Sequence, residues 1–228
     1  MRRRPEKALR KSAESSLRKG GEVMTDKTQF LSPEQLAKNR ERYLRIFREN
    51  VKRHGVEDLL NWLETTDFFV APSSTRFHGN YDGGLCEHSL NVYQCLVDIA
   101  NRHPEFVYSD ETLALVALTH DFIKISQYRK CQRNRKNEHG KWESYTTYEI
   151  HDEEPGGHGE KSCYLVQQFM YLSYEEWSAI LFHMGGFTYS VQGGDRSMNS
   201  AMEVNKLIPM LQIADQEASH LIEFTVVH

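Results

Sequence analysis

Leu113-Ala-Leu-Val-Ala-Leu118 is apolar on every side of a helix, and a helix with no polar face must be enclosed by other elements. The run is far shorter than the roughly 20 residues of a bilayer span. It is therefore expected at the buried centre of a globular domain, with no membrane partner. His120 and Asp121 follow it almost at once. Neighbouring helical residues diverge by about 100°, so this imidazole and carboxylate can meet at one point only where the helix ends or bends. A divalent ion gives a reason for such an ending, because neutral imidazole and carboxylate together suit Fe, Mn, Co, Ni or Zn.

The flanking pattern is helical. Ser32-Pro-Glu-Gln35 reads as a capping box, and Leu36, Tyr43, Leu44, Phe47 and Val51 recur at helical spacing up to Gly55. Further helices are expected over 57–65, 85 to about 103, and from Ser109 to about Asp121, with a loop over 66–83. Between 128 and 150 the β-branched and aromatic string Tyr145-Thr-Thr-Tyr148 and the turn sequence Asn137-Glu-His-Gly140 predict an inserted β-hairpin. Helices resume over about 160–171 and from the capping box Ser173-Tyr-Glu-Glu176 to Met184. A glycine-rich loop over 185–196 precedes a last helical stretch from about 199 to 223, bent at Pro209. The expected fold class is all-α, a helical bundle with a small β-hairpin insertion.

Charge is uneven. Residues 1–23 hold eight Arg and Lys against three Glu, so they carry +5 and the remaining 205 residues carry −9 of the net −4. Residues 1–31 are expected to be a disordered basic leader, and Met24, directly after Lys19-Gly-Gly-Glu-Val23, is the expected true start. The leader has no apolar core of the secretory kind. An acidic domain argues against a dedicated nucleic-acid coat or membrane-surface protein. Cys86, Cys95, Cys131 and Cys163 show no C-x-x-C spacing, which points to free thiols in a reducing, cytoplasmic setting.

Three further segments complete the pattern. His88 lies in Gly83-Gly-Leu-Cys-Glu-His88-Ser-Leu. Asp215 lies in Leu211-Gln-Ile-Ala-Asp215, a carboxylate on an apolar helical face where burial without a partner is costly. The order His88, His120-Asp121, Asp215, on different expected helices, resembles the HD superfamily of metal-dependent phosphohydrolases. Phe77-His-Gly-Asn-Tyr-Asp-Gly-Gly-Leu-Cys-Glu-His88-Ser-Leu looks like the first family motif, and Ala117-Leu-Thr-His-Asp-Phe-Ile-Lys124 like the second. With His158 and His183 added, the order resembles the binuclear branch. That resemblance implies one ion held by His88, His120, Asp121 and Asp215, with Asp121 bridging to a second completed by His158 and His183. It implies hydrolysis of a nucleotide or other small phosphoester through a metal-bridged hydroxide, the two ions being about 3.5–4 Å apart. It also places Lys124 against substrate phosphate.

His78, on the loop before the first motif, is a candidate substrate contact or proton donor, with Arg76 beside it. The hairpin carries Arg129, Lys130, Arg133, Arg135, Lys136 and Lys141, which suit either solvent or a nucleic-acid strand. The Gly-Gly-Leu-x-Glu-His string is also similar to the HD domain of 3′→5′ exoribonucleases. A diiron oxygenase branch shares the ligand order. A non-catalytic binding domain built on the same cleft is the remaining alternative. Composition and spacing leave the oligomeric state open.

Overall fold

A computed structural model describes residues 31–225. The expectations for the leader and Met24 fall on residues 1–30, outside the described residues.

Ser32 opens the first helix, α1 (Pro33–Asn50), by accepting the Gln35 backbone N–H at 3.2 Å. Then come α2 (Val56–Thr65), α3 (Gly84–Arg102) and α4 (Asp110–Thr119), the last capped by the Ser109 hydroxyl. Every residue of α4 from Leu113 to Thr119 is buried. The helix lies among α1, α3 and α6 (Tyr174–Leu181), the enclosure that an all-round apolar surface demands. Tyr43, itself buried, donates from its hydroxyl to the Leu118 carbonyl at 2.9 Å. That bond satisfies one of the carbonyls left open where α4 stops.

The hairpin is antiparallel, β1 (Tyr128–Lys136) on β2 (Trp142–Ile150), in the register Tyr128↔Ile150 to Lys136↔Trp142. Its root is tied to the helical body by Lys130 on Asp82 at 2.7 Å and by a bond from the Tyr148 hydroxyl to Asp82. The described part of the chain is thus helix-rich, with one two-stranded sheet. None of its helices is long and apolar enough to cross a membrane.

Several boundaries differ from the sequence expectation. Helix α5 (His158–Gln167) begins at His158 rather than near 160, and α6 ends at Leu181, before His183. A short helix, α7 (Tyr189–Gln192), sits inside the expected glycine-rich loop. The last stretch is not bent at Pro209. It breaks at Asn205, between α8 (Ser197–Val204) and α9 (Leu207–Glu217), where the backbone is extended at φ −123° and ψ 103°. A proline ring clashes with the carbonyl four residues earlier, and for Pro209 that residue is Asn205. Pro209 itself sits in the first turn of α9, where its missing N–H costs nothing.

Candidate metal centre

His120 and Asp121 stand where α4 ends. His120 is the C-cap, and at Asp121 the backbone leaves the helix (φ −107°, ψ 23°) to enter a 3-10 turn over Phe122–Lys124. The divergence of a continuous helix is thereby removed, and both side chains reach one point. His88 arrives from one turn inside α3. The start of α3 packs closely against the preceding loop, since a Cβ on Gly84 would lie 2.0 Å from the Gly79 carbonyl oxygen. Asp215 comes from α9, and His183 from the turn after α6. A similar close approach joins α5 to α6, where a Cβ on Gly159 would lie 2.1 Å from the Leu181 carbonyl oxygen.

These groups present a cluster of acceptors to one another. His120 Nδ1 is 2.8 Å from the Ala117 carbonyl and His183 Nδ1 is 2.7 Å from that of Ile180. A carbonyl only accepts, so each Nδ1 carries the proton and each Nε2 faces inward as a lone pair. His88 engages Glu223 through Nδ1, at 3.0 Å from Oε1, which turns its own Nε2 inward. That Nε2 lies 3.2 Å from His120 Nε2, 3.4 Å from Asp121 Oδ2 and 3.3 Å from Asp215 Oδ1. His183 Nε2 is 3.5 Å from Asp121 Oδ1, and neither atom has a hydrogen-bond partner despite burial. Acceptors this close in a low-dielectric pocket repel unless a cation lies among them. The donor set of imidazole and carboxylate therefore fits a divalent first-row metal. His88, His120 and Asp121 bring their ligand atoms within 4.8 Å of one another, as do His78, His88 and Glu223.

Protonation follows the same logic. Burial opposes charge on Asp121, but Lys124 and the imidazoles of His120 and His183 outweigh it and hold the carboxyl well below its usual range. Asp215 is likewise held low by His88 and His120 against burial. Burial disfavours the His88 imidazolium, yet Glu223, Asp121 and Asp215 raise its pKa well above normal in the protein alone. His183 is raised more mildly against burial, chiefly by Asp121, whereas burial lowers His120.

Other expected residues fall around this centre. Lys124 is buried with Nζ 2.5 Å from Asp121 Oδ2. Burial works against its charge, and the Asp121 carboxylate more than compensates. His78 lays its ring against that of His88, centroids 5.0 Å apart, with Nε2 buried and unpartnered. Burial pushes its pKa down to about 4, so the ring is neutral at pH 7. His158 starts α5 within the field of Asp121, Lys124, His183 and Asp215, and burial lowers its pKa. Neither His158 nor His183 joins a tight donor group among the described residues. Lys161 binds Asp152 at 3.0 Å and the Glu154 carbonyl at 2.6 Å, a structural clamp. The four cysteines are free.

Sequence reasoning missed Glu223. It lies just beyond a π-helical turn over Ala218–Ile222 and folds back onto His88, steadied by Asn91 Nδ2 at 3.1 Å. Phe224 stacks on Tyr81, ring centroids 4.7 Å apart, and fixes that return. A lone glutamate past the last helix carries no spacing signal.

The HD domain family model matches residues 85–218. This span covers more than half of the chain and contains His88, His120, Asp121, His158, His183 and Asp215. The chain belongs to the HD-domain family, a superfamily of metal-dependent hydrolases that bind divalent ions. Comparison with curated proteins and with solved structures gives no match.

Proposed function

We propose that this chain is a metal-dependent phosphohydrolase that cleaves a nucleotide or other small phosphoester. The observation that carries the reading is the convergence of unpartnered acceptors beside the buried ammonium of Lys124. His88, His120, Asp121 and Asp215 would hold one divalent ion, with His158, His183 and a bridging Asp121 providing for a second. Bound there, the metal supplies a Lewis acid for a phosphoryl oxygen and a water of lowered pKa.

The protein's own groups do the rest. Lys124 offers a fixed positive charge beside Asp121, suited to a phosphoryl oxygen. His78, neutral and packed on His88, offers substrate a hydrogen-bonding contact rather than a pre-charged acid. Complete burial of His88 and His120 excludes water from both motif histidines, which strengthens the charge interactions around them. Three of the hairpin cations are engaged, Arg129 with Glu153, Lys130 with Asp82 and Arg135 with Glu143. That pairing favours a small substrate over a long nucleic-acid strand.

The test is phosphate release from p-nitrophenyl phosphate, nucleotides and short oligonucleotides by chelated protein reloaded with Mn²⁺ or Fe²⁺. Release from the small substrates is expected in loaded wild type and not in Asp121→Asn. No release with any ion, or oxygen uptake by the ferrous form in its place, would overturn the reading.

A further inference from the structure

The hairpin and the loop before the first motif enclose a groove of about 670 Å³, lined among others by Arg76, Phe77, Arg133, Tyr145, Thr147 and Glu149. The alternation of strand side chains explains part of the hairpin wall, which Tyr148 and Ile150 also line. Tyr145, Thr147 and Glu149 share one face of β2, and Arg133 stands directly opposite Tyr145 in the register, so it joins that face. The facing wall is the 75–80 loop. Its shape is set by the Ser73 and Ser74 hydroxyls, which both donate to the His78 carbonyl, at 2.7 and 3.0 Å. The walls are joined at their base by the Asp82 contacts and by the Tyr128 hydroxyl near the Ser73 carbonyl.

Two features of this groove suit a ligand. Arg76 and Arg133 have no carboxylate partner among the described residues, unlike Arg129 and Arg135 on the same hairpin. Phe77 leaves 71% of its surface in solvent although it adjoins His78, whose ring packs on His88. Guanidinium forks recognise phosphate, and exposed aromatic rings stack on nucleobases. The volume is that of a small-molecule site.

We propose that this groove is a nucleotide subsite, with Arg76 and Arg133 on a phosphate and Phe77 on the base. The inference rests on the hydrolase reading only in assigning this subsite to the part of the substrate remote from the bond cleaved. Glu149 provides an acceptor for ribose hydroxyls within the same groove. Neighbouring residues Phe77 and His78 then divide the labour, one facing the base and the other the metal centre.

The probe is α,β-methylene adenosine diphosphate, which resists hydrolysis at the methylene bridge, titrated calorimetrically into the full-length protein. Saturable binding is expected, weakened at least tenfold in Arg76→Ala/Arg133→Ala and in Phe77→Ala. All three positions are exposed, and circular dichroism should show an unaltered fold. Lys141→Ala at the hairpin tip is expected to bind as wild type. No saturable binding by wild type, variants within twofold of it, or an equal loss in Lys141→Ala would overturn the subsite. Nucleotide binding without hydrolysis of any phosphoester sinks the hydrolase reading and leaves the groove. Hydrolysis of p-nitrophenyl phosphate without nucleotide binding does the reverse.

Discussion

Glu223 Oε1 lies 3.0 Å from His88 Nδ1, and the pair is enclosed, the imidazole fully buried and the carboxylate side chain only 2% exposed. The contact joins a residue inside the first motif to one near the end of the chain. A carboxylate on the outer nitrogen fixes the ring and raises its basicity as a metal ligand, and loss of such a partner typically lowers affinity about 10–100-fold. Glu223→Ala is expected to show that loss in a chelator-competition titration with Zn²⁺, with its fold retained. Unchanged affinity would remove Glu223 from the centre.

Lys124 and the metal share Asp121 as a partner. Lys124→Met removes a positive charge 2.5 Å from Asp121 Oδ2, so metal affinity is expected to hold or rise. Phosphoester turnover is expected to fall about 100-fold, the scale of losing one preorganised charge contact in the transition state. Steady-state kinetics alongside metal content checks both halves, and a parallel loss of metal and activity would contradict the assignment.

Metal loading should depend on pH in a definite sense. The pKa of His88 is raised in the protein alone despite burial, by Glu223, Asp121 and Asp215, and only the neutral imidazole ligates. Protons and metal therefore compete at this ring. Affinity is expected to fall as pH drops, and binding near neutrality should release protons. Calorimetry in buffers of different ionisation enthalpy measures that release, and a buffer-independent enthalpy would contradict it.

Away from the centre, Glu176 is a structural carboxylate. Burial raises its pKa, but the Arg53 guanidinium at 2.9 Å and the Ser173 backbone N–H at 2.9 Å outweigh that and lower it overall. Its stabilisation is therefore complete above the unfolded pKa of about 4.3 and is lost as pH falls through the lower folded value. Glu176→Gln is expected to cost about 3 kcal/mol at pH 7, as for a broken buried ion pair. Urea unfolding should show the gap closing in acid, and a gap constant with pH would refute the linkage.

The parts of the fold written in local chemistry could be read from the sequence. Ser32, Ser109 and Ser173 each cap the helix they were expected to start, and Ser173 with Glu176 forms a full capping box. The all-round apolar surface of Leu113–Leu118 required burial, and strand propensity with an Asn-to-Gly turn located the hairpin. What escaped depends on contacts distant in sequence. The chain breaks at Asn205 rather than at Pro209 because a proline acts on the residue four before it. Glu223 joins His88 only through the return of the chain after α9, 135 residues away in sequence. Asp121 and His183 were legible by type and order, whereas their unpartnered inward atoms became visible only in three dimensions.

Metal content per chain, measured by elemental analysis on purified wild type beside His158→Ala/His183→Ala, tests the central claim most directly. Two equivalents in wild type falling to one in the variant is the predicted result. A wild type that binds no divalent ion after reloading, or one equivalent unchanged by the substitutions, would contradict the two-metal centre.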